Sequence, residues 1–437
     1  MKTRTLKKDK VNIITLGCSK NMVDSEVLSG QLRANEIDVV HENNKLDHNI
    51  VVVNTCGFID KAKEESINTI LDQVELKRKG KLDKVYVTGC LSERYRNNLE
   101  AEIPEVDAYF GTMELPLILK KFEADYKTEL VGERLLATPQ HYAYMKISEG
   151  CNRTCSFCAI PLMRGQHISK PMEELVKEAE GLVRKGVKEI MLIAQELTYY
   201  GLDIYKKRML PDLLRRLSDI KGLEWIRLHY AYPSKFPLEI LDAMRERHNI
   251  CNYLDMPLQH AANNMLKAMK RQITREEMEE LTAAIRERVP GICLRTTLIT
   301  GFPGETLDDV EELKGFLERQ RFDRVGIFTY SHEEGTSAFG LTDDIPQEEK
   351  ERRAQDIMET QQEISYELNQ AKLGTVFKTL VDKKEAGRYL GRTEFDSVEV
   401  DNEVVIHSSK KLTPGEFVNV RITKAYDYDL EGEVVTE

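Results

Sequence analysis

The run Glu149-Gly150-Cys151-Asn152-Arg153-Thr154-Cys155-Ser156-Phe157-Cys158 sets three thiols at a Cys-x3-Cys-x2-Cys spacing just after an apolar segment, Tyr142 to Ile147. A four-iron cubane needs four ligands, and cysteine thiolates are its usual protein donors. Three cysteines in one short loop hold three irons and leave the fourth open to a small molecule. An open iron can chelate the amino and carboxylate groups of S-adenosylmethionine and pass it an electron, which is radical chemistry carried by the cofactor. The alternative is a structural zinc loop, which normally takes four protein ligands, often in paired CxxC knuckles. No second knuckle follows Cys158.

From Tyr142 onward, strand-like and helix-like segments alternate. Strands are expected over Tyr142–Ile147, Glu189–Ala194, Trp225–Tyr230, Tyr253–Pro257, Cys293–Thr300 and Arg324–Tyr330, with helical patterns such as Met172–Lys185 and Thr274–Arg288 between them. This is the order of a partial (β/α)6 barrel, with chemistry at the carboxyl ends of the strands. The triple-cysteine loop follows the first strand, Gln195-Glu196 the second, Tyr232-Pro233 the third and Gln259-His260 the fourth. Gly301-Phe302-Pro303-Gly304 follows the fifth and Ser331-His332 the sixth. Candidate cofactor contacts are therefore Gln195 and Glu196 for an ammonium, Gln259 for ribose hydroxyls, and Gly301 and Gly304 for close backbone approach beside adenine. Arg295, on the fifth strand, is the candidate partner of a methionyl carboxylate. Each has a plainer reading: Gly-Phe-Pro-Gly is a turn signal by itself, and Gln259 suits a cap. His260 and His332 read as hydrogen-bonded structural residues, and Cys251 and Cys293 as inert core thiols.

The first third carries the βαβ pattern of an open parallel sheet, with strands expected over Val11–Leu16, Ile50–Asn54 and Lys84–Thr88. Each ends in a cysteine: Gly17-Cys18, Thr55-Cys56-Gly57 and Gly89-Cys90. Strand carboxyl ends in such a sheet share one edge, where ligands bind. One cysteine there would be an ordinary buried hydrophobe. Three at the same topological position favour a second cluster, with zinc as the chemical alternative.

After a charged helix over Gln347–Lys372, short β-rich runs begin: Val376–Val381, Tyr389–Arg392, Ser397–Val400, Val404–Ile406 and Phe417–Ala425, with a turn at Pro414-Gly415. They predict a small antiparallel β-barrel of OB-like size. From Lys372 there are ten Lys plus Arg against thirteen Asp plus Glu. A barrel gripping RNA should be basic, whereas an acidic one suits a basic protein partner or is simply solvated. The expected α/β architecture thus has three parts, 10–126, 137–368 and 370–437.

Composition agrees with a soluble globular chain: 41% hydrophobic and 31% charged residues over 437 positions. The formal charge of −11 gives no overall footprint for nucleic acid. Lys2, Arg4, Lys7, Lys8 and Lys10 form a basic tail with no apolar segment after it, so neither a signal peptide nor a membrane span is expected. Eight cysteines without a secretory signal indicate reduced thiols in the cytoplasm.

These motifs, from about Lys10 to the end, resemble the methylthiotransferase family of radical S-adenosylmethionine enzymes, with its three-cysteine N-terminal domain, radical core and C-terminal TRAM barrel. The likeness rests on Leu16-Gly17-Cys18-Ser19-Lys20-Asn21, Val23-Asp24-Ser25-Glu26, Asn54-Thr55-Cys56-Gly57-Phe58-Ile59, Lys146-Ile147-Ser148-Glu149-Gly150-Cys151 and Asp427-Tyr428-Asp429-Leu430. Where tRNA-modifying relatives read Gly-Cys-Gln-Met-Asn, this chain is similar to the branch that modifies an aspartate of a small-subunit ribosomal protein, S-twelve. The resemblance implies two 4Fe–4S clusters, a cofactor-binding one on Cys151, Cys155 and Cys158 and an auxiliary one on Cys18, Cys56 and Cys90 that carries or relays sulfur. One S-adenosylmethionine methylates that sulfur; a second yields a 5′-deoxyadenosyl radical that takes hydrogen from the aspartate β-carbon. Radical and sulfur source would then bracket that carbon at near-contact distance. A reductant such as flavodoxin or ferredoxin is implied as a partner, and a tRNA adenosine is the alternative substrate. One departure is Gln195-Glu196-Leu197-Thr198-Tyr199, where the family more often has Gln-Asp-Thr, so the carboxylate is kept but lengthened.

Overall fold

The computed structural model describes residues 9–435 apart from 44, 46 and 128–132. Lys2, Arg4, Lys7 and Lys8 of the expected basic tail lie outside the described residues, and Lys10 opens the first strand. The chain forms two compact bodies. One takes in the described residues up to Pro139 with Tyr144–Asn152 and Ala159–Gly181; the other holds Gln140–Ala143, Arg153–Cys158 and the chain from Leu182.

The first body begins β1 (Lys10–Thr15), α1 (Ser19–Ala34), β2 (Asp38–His41), β3 (Ile50–Thr55), α2 (Asp60–Arg78), β4 (Lys84–Gly89), α3 (Cys90–Glu102), β5 (Ala108–Tyr109) and α4 (Leu115–Lys121). The strands pair parallel in the order β2-β1-β3-β4-β5. Ile50 to Val53 is apolar without a break because both faces are covered. Ile50 and Val52 pack with Leu28, Leu32, Ile118 and Leu119, while Val51 and Val53 pack with Ile70, Val74 and Leu91. The short outer strands β2 and β5 carry too little pattern to be foreseen. Further along come β6 (Tyr142–Lys146), whose first two residues belong to the second body, β7 (Ser148–Glu149), α5 (Ile160–Arg164), β8 (Ile168–Ser169) and α6 (Met172–Arg184), whose last three do, with β7 antiparallel to β8.

The second body continues with β9 (Glu189–Ile193), α7 (Leu210–Ser218), β10 (Trp225–Leu228), α8 (Glu239–Glu246), β11 (Ile250–Asp255), α9 (Asn263–Ala268), α10 (Arg275–Arg288), β12 (Cys293–Thr300), α11 (Leu307–Gln320) and β13 (Arg324–Thr329). The sheet runs β13-β12-β11-β10-β9-β6, the simple sequential order expected of a partial barrel. β11 starts three residues earlier than expected, because Ile250 pairs with Ile226 of β10. It ends before Pro257, which has no N–H to give a ladder.

A long helix, α12 (Gln347–Gln370), leads to a closed barrel of β14 (Val376–Glu385), β15 (Arg388–Thr393), β16 (Val404–His407), β17 (Phe417–Ala425) and β18 (Leu430–Val434), ordered β14-β15-β16-β18-β17. Two expectations are corrected. The barrel is not wholly antiparallel, since β16 and β18 run parallel. Ser397–Val400 is not a strand, and Leu430–Val434 supplies the fifth one. The reason lies in side chains around residue 397 that are committed to the six-stranded sheet. Asp396 binds Arg324 at 2.6 Å, Ser397 meets His229 at 2.9 Å, and Asp401 accepts from Tyr253 at 2.7 Å and Arg295 at 3.2 Å.

Beside them, fully buried Glu189 accepts from Arg227 at 2.8 Å and pairs with Arg392 of the barrel at 2.7 Å. Burial pushes the Glu189 carboxyl up, but Arg392 and Arg227 outweigh it and hold it below the usual range. A depressed folded-state pKa stabilises the fold above the unfolded value of about 4.3 and is lost as pH falls through the folded one. Glu189→Gln leaves two buried guanidinium groups short of a counter-charge. It should cost about 3–5 kcal/mol in denaturant unfolding at neutral pH, with a shallower loss of stability on acidification than the parent.

Candidate metal centres

The first trio of thiols converges by topology. Cys18 is the N-cap of α1, Cys56 follows β3 directly, and Cys90 is the first residue of α3. Their strands are neighbours, and three glycines let the loops close on one another. A Cβ on Gly17 (φ +88°) would lie 2.6 Å from the Cys56 Cβ and 2.8 Å from its sulfur. One on Gly57 would lie 2.8 Å from the Leu91 backbone, and one on Gly89 (φ +99°) 2.4 Å from the Thr55 carbonyl oxygen. Asn21 ties the loops together by donating to the carbonyls of Leu16 at 2.8 Å and Thr55 at 3.0 Å.

Cys18 is exposed, while Cys56 and Cys90 are buried. Burial pushes the Cys90 thiol up to about 12; the Arg164 charge opposes this, and Cys18 and Cys56 add to it. Cys56 is raised mainly by burial, with Cys18 again contributing. Three groups that repel one another as thiolates form a donor set suited to a polynuclear iron centre. Two sit at helix N-termini, Cys18 as the N-cap of α1 and Cys90 as the first residue of α3. Among the described residues, no three His, Cys, Asp or Glu groups could hold a single metal ion as they stand. A four-iron cluster is a body in its own right, so its thiolates need not meet at one point.

The second trio lies in the loop from Cys151 to Cys158, and all three thiols are partly exposed. In the first body, the Cys151 N–H donates to Gly165 O at 3.1 Å, and Gly150 sits so close to Gln166 that a Cβ would lie 2.0 Å from its carbonyl oxygen. In the second body, Ser156 N–H donates to Met269 O at 3.0 Å and its hydroxyl to Ala268 O at 2.8 Å. Arg271 donates to the Cys155 sulfur at 3.2 Å, and Tyr232 OH lies 3.9 Å from the same sulfur while donating to Arg271 O at 2.7 Å. Arg153 stacks between Tyr199 and Tyr232, its guanidinium 4.0 Å and 3.8 Å from the ring centres. Neither Arg153 nor Arg271 was foreseen; Arg153 sits inside the quoted motif, but nothing in the spacing marks Arg271.

The expected cofactor contacts fare unevenly. Gln195 lies half-buried after β9. Glu196 is buried and already engaged, accepting from Thr198 N–H at 2.7 Å and pairing with Arg153 at 3.2 Å, so its carboxylate positions a loop arginine. Gln259 is half-buried with φ +79°; its N–H donates to Thr297 O at 2.9 Å and its carbonyl accepts from Ile299 at 2.7 Å, clipping the turn to β12. Gly301 needs its missing side chain because Lys350 fills that space, a Cβ there lying 2.2 Å from the Lys350 Cγ; Gly304 is open. Arg295 is a correction. It occupies the third position of β12, away from the strand's carboxyl end, and is held by Asp255 at 3.0 Å and Asp401 at 3.2 Å. His260 is structural, its Nδ1 accepting from Ala261 at 2.9 Å and Ala262 at 3.0 Å. Burial raises Cys251 to about 12, and Cys293 also lies buried in its strand.

Residues 145–317 match the Radical SAM superfamily, residues 373–435 the TRAM domain, and residues 10–111 Uncharacterized protein family UPF0004. Fold, cysteine loop and matches together define a radical S-adenosylmethionine enzyme, a class that works through an iron–sulfur cluster and S-adenosylmethionine. The ribosomal protein uS12 methylthiotransferase RimO of Cytophaga hutchinsonii is 60% identical over 436 residues, covering 100% of both chains. That of Flavobacterium johnsoniae is 59% identical, covering 99% of this chain and 100% of its own. The chain belongs to the RimO family of methylthiotransferases. In fold alone it resembles the radical S-adenosylmethionine methyltransferase TsrM from Kitasatospora setae, with TM-score 0.55, 16% identity, and 74% and 73% of the two chains covered.

In metal-free protein, iodoacetamide near pH 8 should alkylate exposed Cys18 more than about tenfold faster than Cys56 or Cys90. Peptide-resolved mass spectrometry measures the order, and equal rates would show the pair to be open.

Proposed function

We propose that this methylthiotransferase acts in the cytoplasm on ribosomal protein uS12, inserting a methylthio group at the β-carbon of an aspartate. Cys151, Cys155 and Cys158 would hold a cofactor-binding 4Fe–4S cluster, and Cys18, Cys56 and Cys90 an auxiliary one. The observation that carries the reading is the trio Cys18, Cys56 and Cys90, brought to one sheet edge by three close-packed glycine loops. When bound, the clusters and S-adenosylmethionine supply a hydrogen-abstracting radical and the methylthio group; a reductant such as flavodoxin or ferredoxin supplies electrons.

The chain's own side chains prepare these sites. Within the second body, Arg271 and Tyr232 fix the Cys155 sulfur, and a charge-assisted hydrogen bond draws negative charge off a thiolate ligand. Glu196 holds Arg153 against two aromatic faces and so braces the loop between the first two cysteines. Gln195, Gln259 and Gly304 stay as candidate contacts to S-adenosylmethionine, while Arg295 and Gly301 are set aside because Asp255, Asp401 and Lys350 occupy them. The acidic balance of the C-terminal barrel suits a basic protein substrate better than phosphate backbone.

Anaerobically reconstituted protein should carry about eight irons and eight acid-labile sulfides, falling to about four of each when Cys18, Cys56 and Cys90 are all changed to Ala. A full count in that triple variant would remove the auxiliary site. In a deletion strain, intact-mass spectrometry should find uS12 lighter by one methylthio increment, with tRNA nucleosides unchanged. Loss from tRNA instead would reassign the substrate.

A further inference from the structure

Arg164 ends α5, six positions after Cys158 in sequence, and is 4% exposed in the first body. One edge of its guanidinium faces carboxylates: Nη1 donates to Asp24 at 2.6 Å and lies 3.4 Å from Glu149. The other edge, Nη2, donates to the side-chain oxygen of Asn21, which in turn lies 3.8 Å from the Cys90 sulfur. The guanidinium charge is felt at both Cys90 and Cys56. Lys146 bridges Asp24 and Glu149 from the far side, so the two carboxylates have a second cation between them. Neutralising Asp24 therefore does not by itself call for Arg164. What Arg164 adds is a permanent cation close to two of the three auxiliary thiols and fixed there by the side chains of Asp24, Glu149 and Asn21.

We infer that Arg164 is a positioning residue of the auxiliary cluster, a buried guanidinium that orients Cys90 and favours the cluster's reduced state. The inference rests on the proposal above that Cys18, Cys56 and Cys90 carry a cluster. Reduction adds one negative charge, and cluster potentials respond to nearby charge and to hydrogen bonds at the sulfurs. A cation held in a low-dielectric setting against two ligands opposes that charge directly. Asp24, on the other edge of the same guanidinium, acts in the opposite sense.

The test uses the full chain with Cys151, Cys155 and Cys158 changed to Ala, so that only the auxiliary cluster is assembled. Iron and sulfide are counted, and the midpoint potential is read by a redox titration followed by electron paramagnetic resonance. Arg164→Met should lower the reduction equilibrium by at least about tenfold, roughly 59 mV for one electron, and Arg164→Lys should recover part of the shift. Asp24→Asn should move the potential the other way, and it decides the matter if Arg164→Met does not fold. Full clusters with unmoved potentials in Arg164→Met, or in Asp24→Asn, overturn the inference. Absence of iron from the background chain itself sinks the auxiliary-cluster reading and this inference with it.

Discussion

Parallel pairing of β1, β3 and β4 is the constraint from which the candidate chemistry of the first body follows. It delivers three carboxyl ends to one edge, at the strand spacing of about 4.8 Å, and each end carries a cysteine within a residue or three. Strand spacing alone would leave the loops splayed. Gly17, Gly57 and Gly89 remove the side chains that would hold them apart, and Asn21 stitches Leu16 to Thr55 across the gap. A β-carbon at any of the three would collide with backbone or with Cys56 itself, so the positions of the thiols and the absence of those carbons are one requirement.

The two trios reach the same count by different routes. Cys151, Cys155 and Cys158 are neighbours in sequence, and their loop needs only local anchors: Gly165 for Cys151, Met269 and Ala268 for Ser156, Arg271 for Cys155. Cys18, Cys56 and Cys90 meet only when a whole sheet has formed. Their environments differ in step with this. The loop thiols are partly open to solvent, whereas two of the sheet-edge thiols are buried and their thiolate forms are disfavoured until a cationic centre is present.

Much of this was legible before any coordinates. The alternating order, the strand-end cysteines and the sequential six-stranded sheet all follow from apolar runs of the right length and period. The failures are instructive in kind. Ser397–Val400 has strand-like composition, but Asp396, Ser397 and Asp401 spend their hydrogen-bonding capacity on Arg324, His229, Arg295 and Tyr253, partners more than 70 positions away at the nearest, Arg324. Arg295 was read as a ligand for a carboxylate, which is the correct chemistry with the wrong owner, since the carboxylates are Asp255 and Asp401 of the same chain. Glu196 and Gly301 illustrate the same limit. A residue's type announces what it can bind, and only the fold decides whether a neighbour already occupies it. Arg153, Arg164 and Arg271 carried no periodicity or spacing signal, because a single long side chain reaching across a loop leaves none.

Buried ion pairs between sheet and barrel bear on how the second body is completed as it emerges from the translating ribosome. Glu189, Arg227, Arg295 and Arg324 are made first, yet their partners, the side chains of Arg392, Asp396 and Asp401 and the main-chain carbonyl of Glu394, come from a later stretch of the polypeptide. Until that stretch leaves the exit tunnel, the nascent sheet must keep several charges hydrated that the finished protein keeps dry. The C-terminal barrel is therefore less an appended module than the closing piece of the catalytic core's interior, and a product released short of it would lack a settled core.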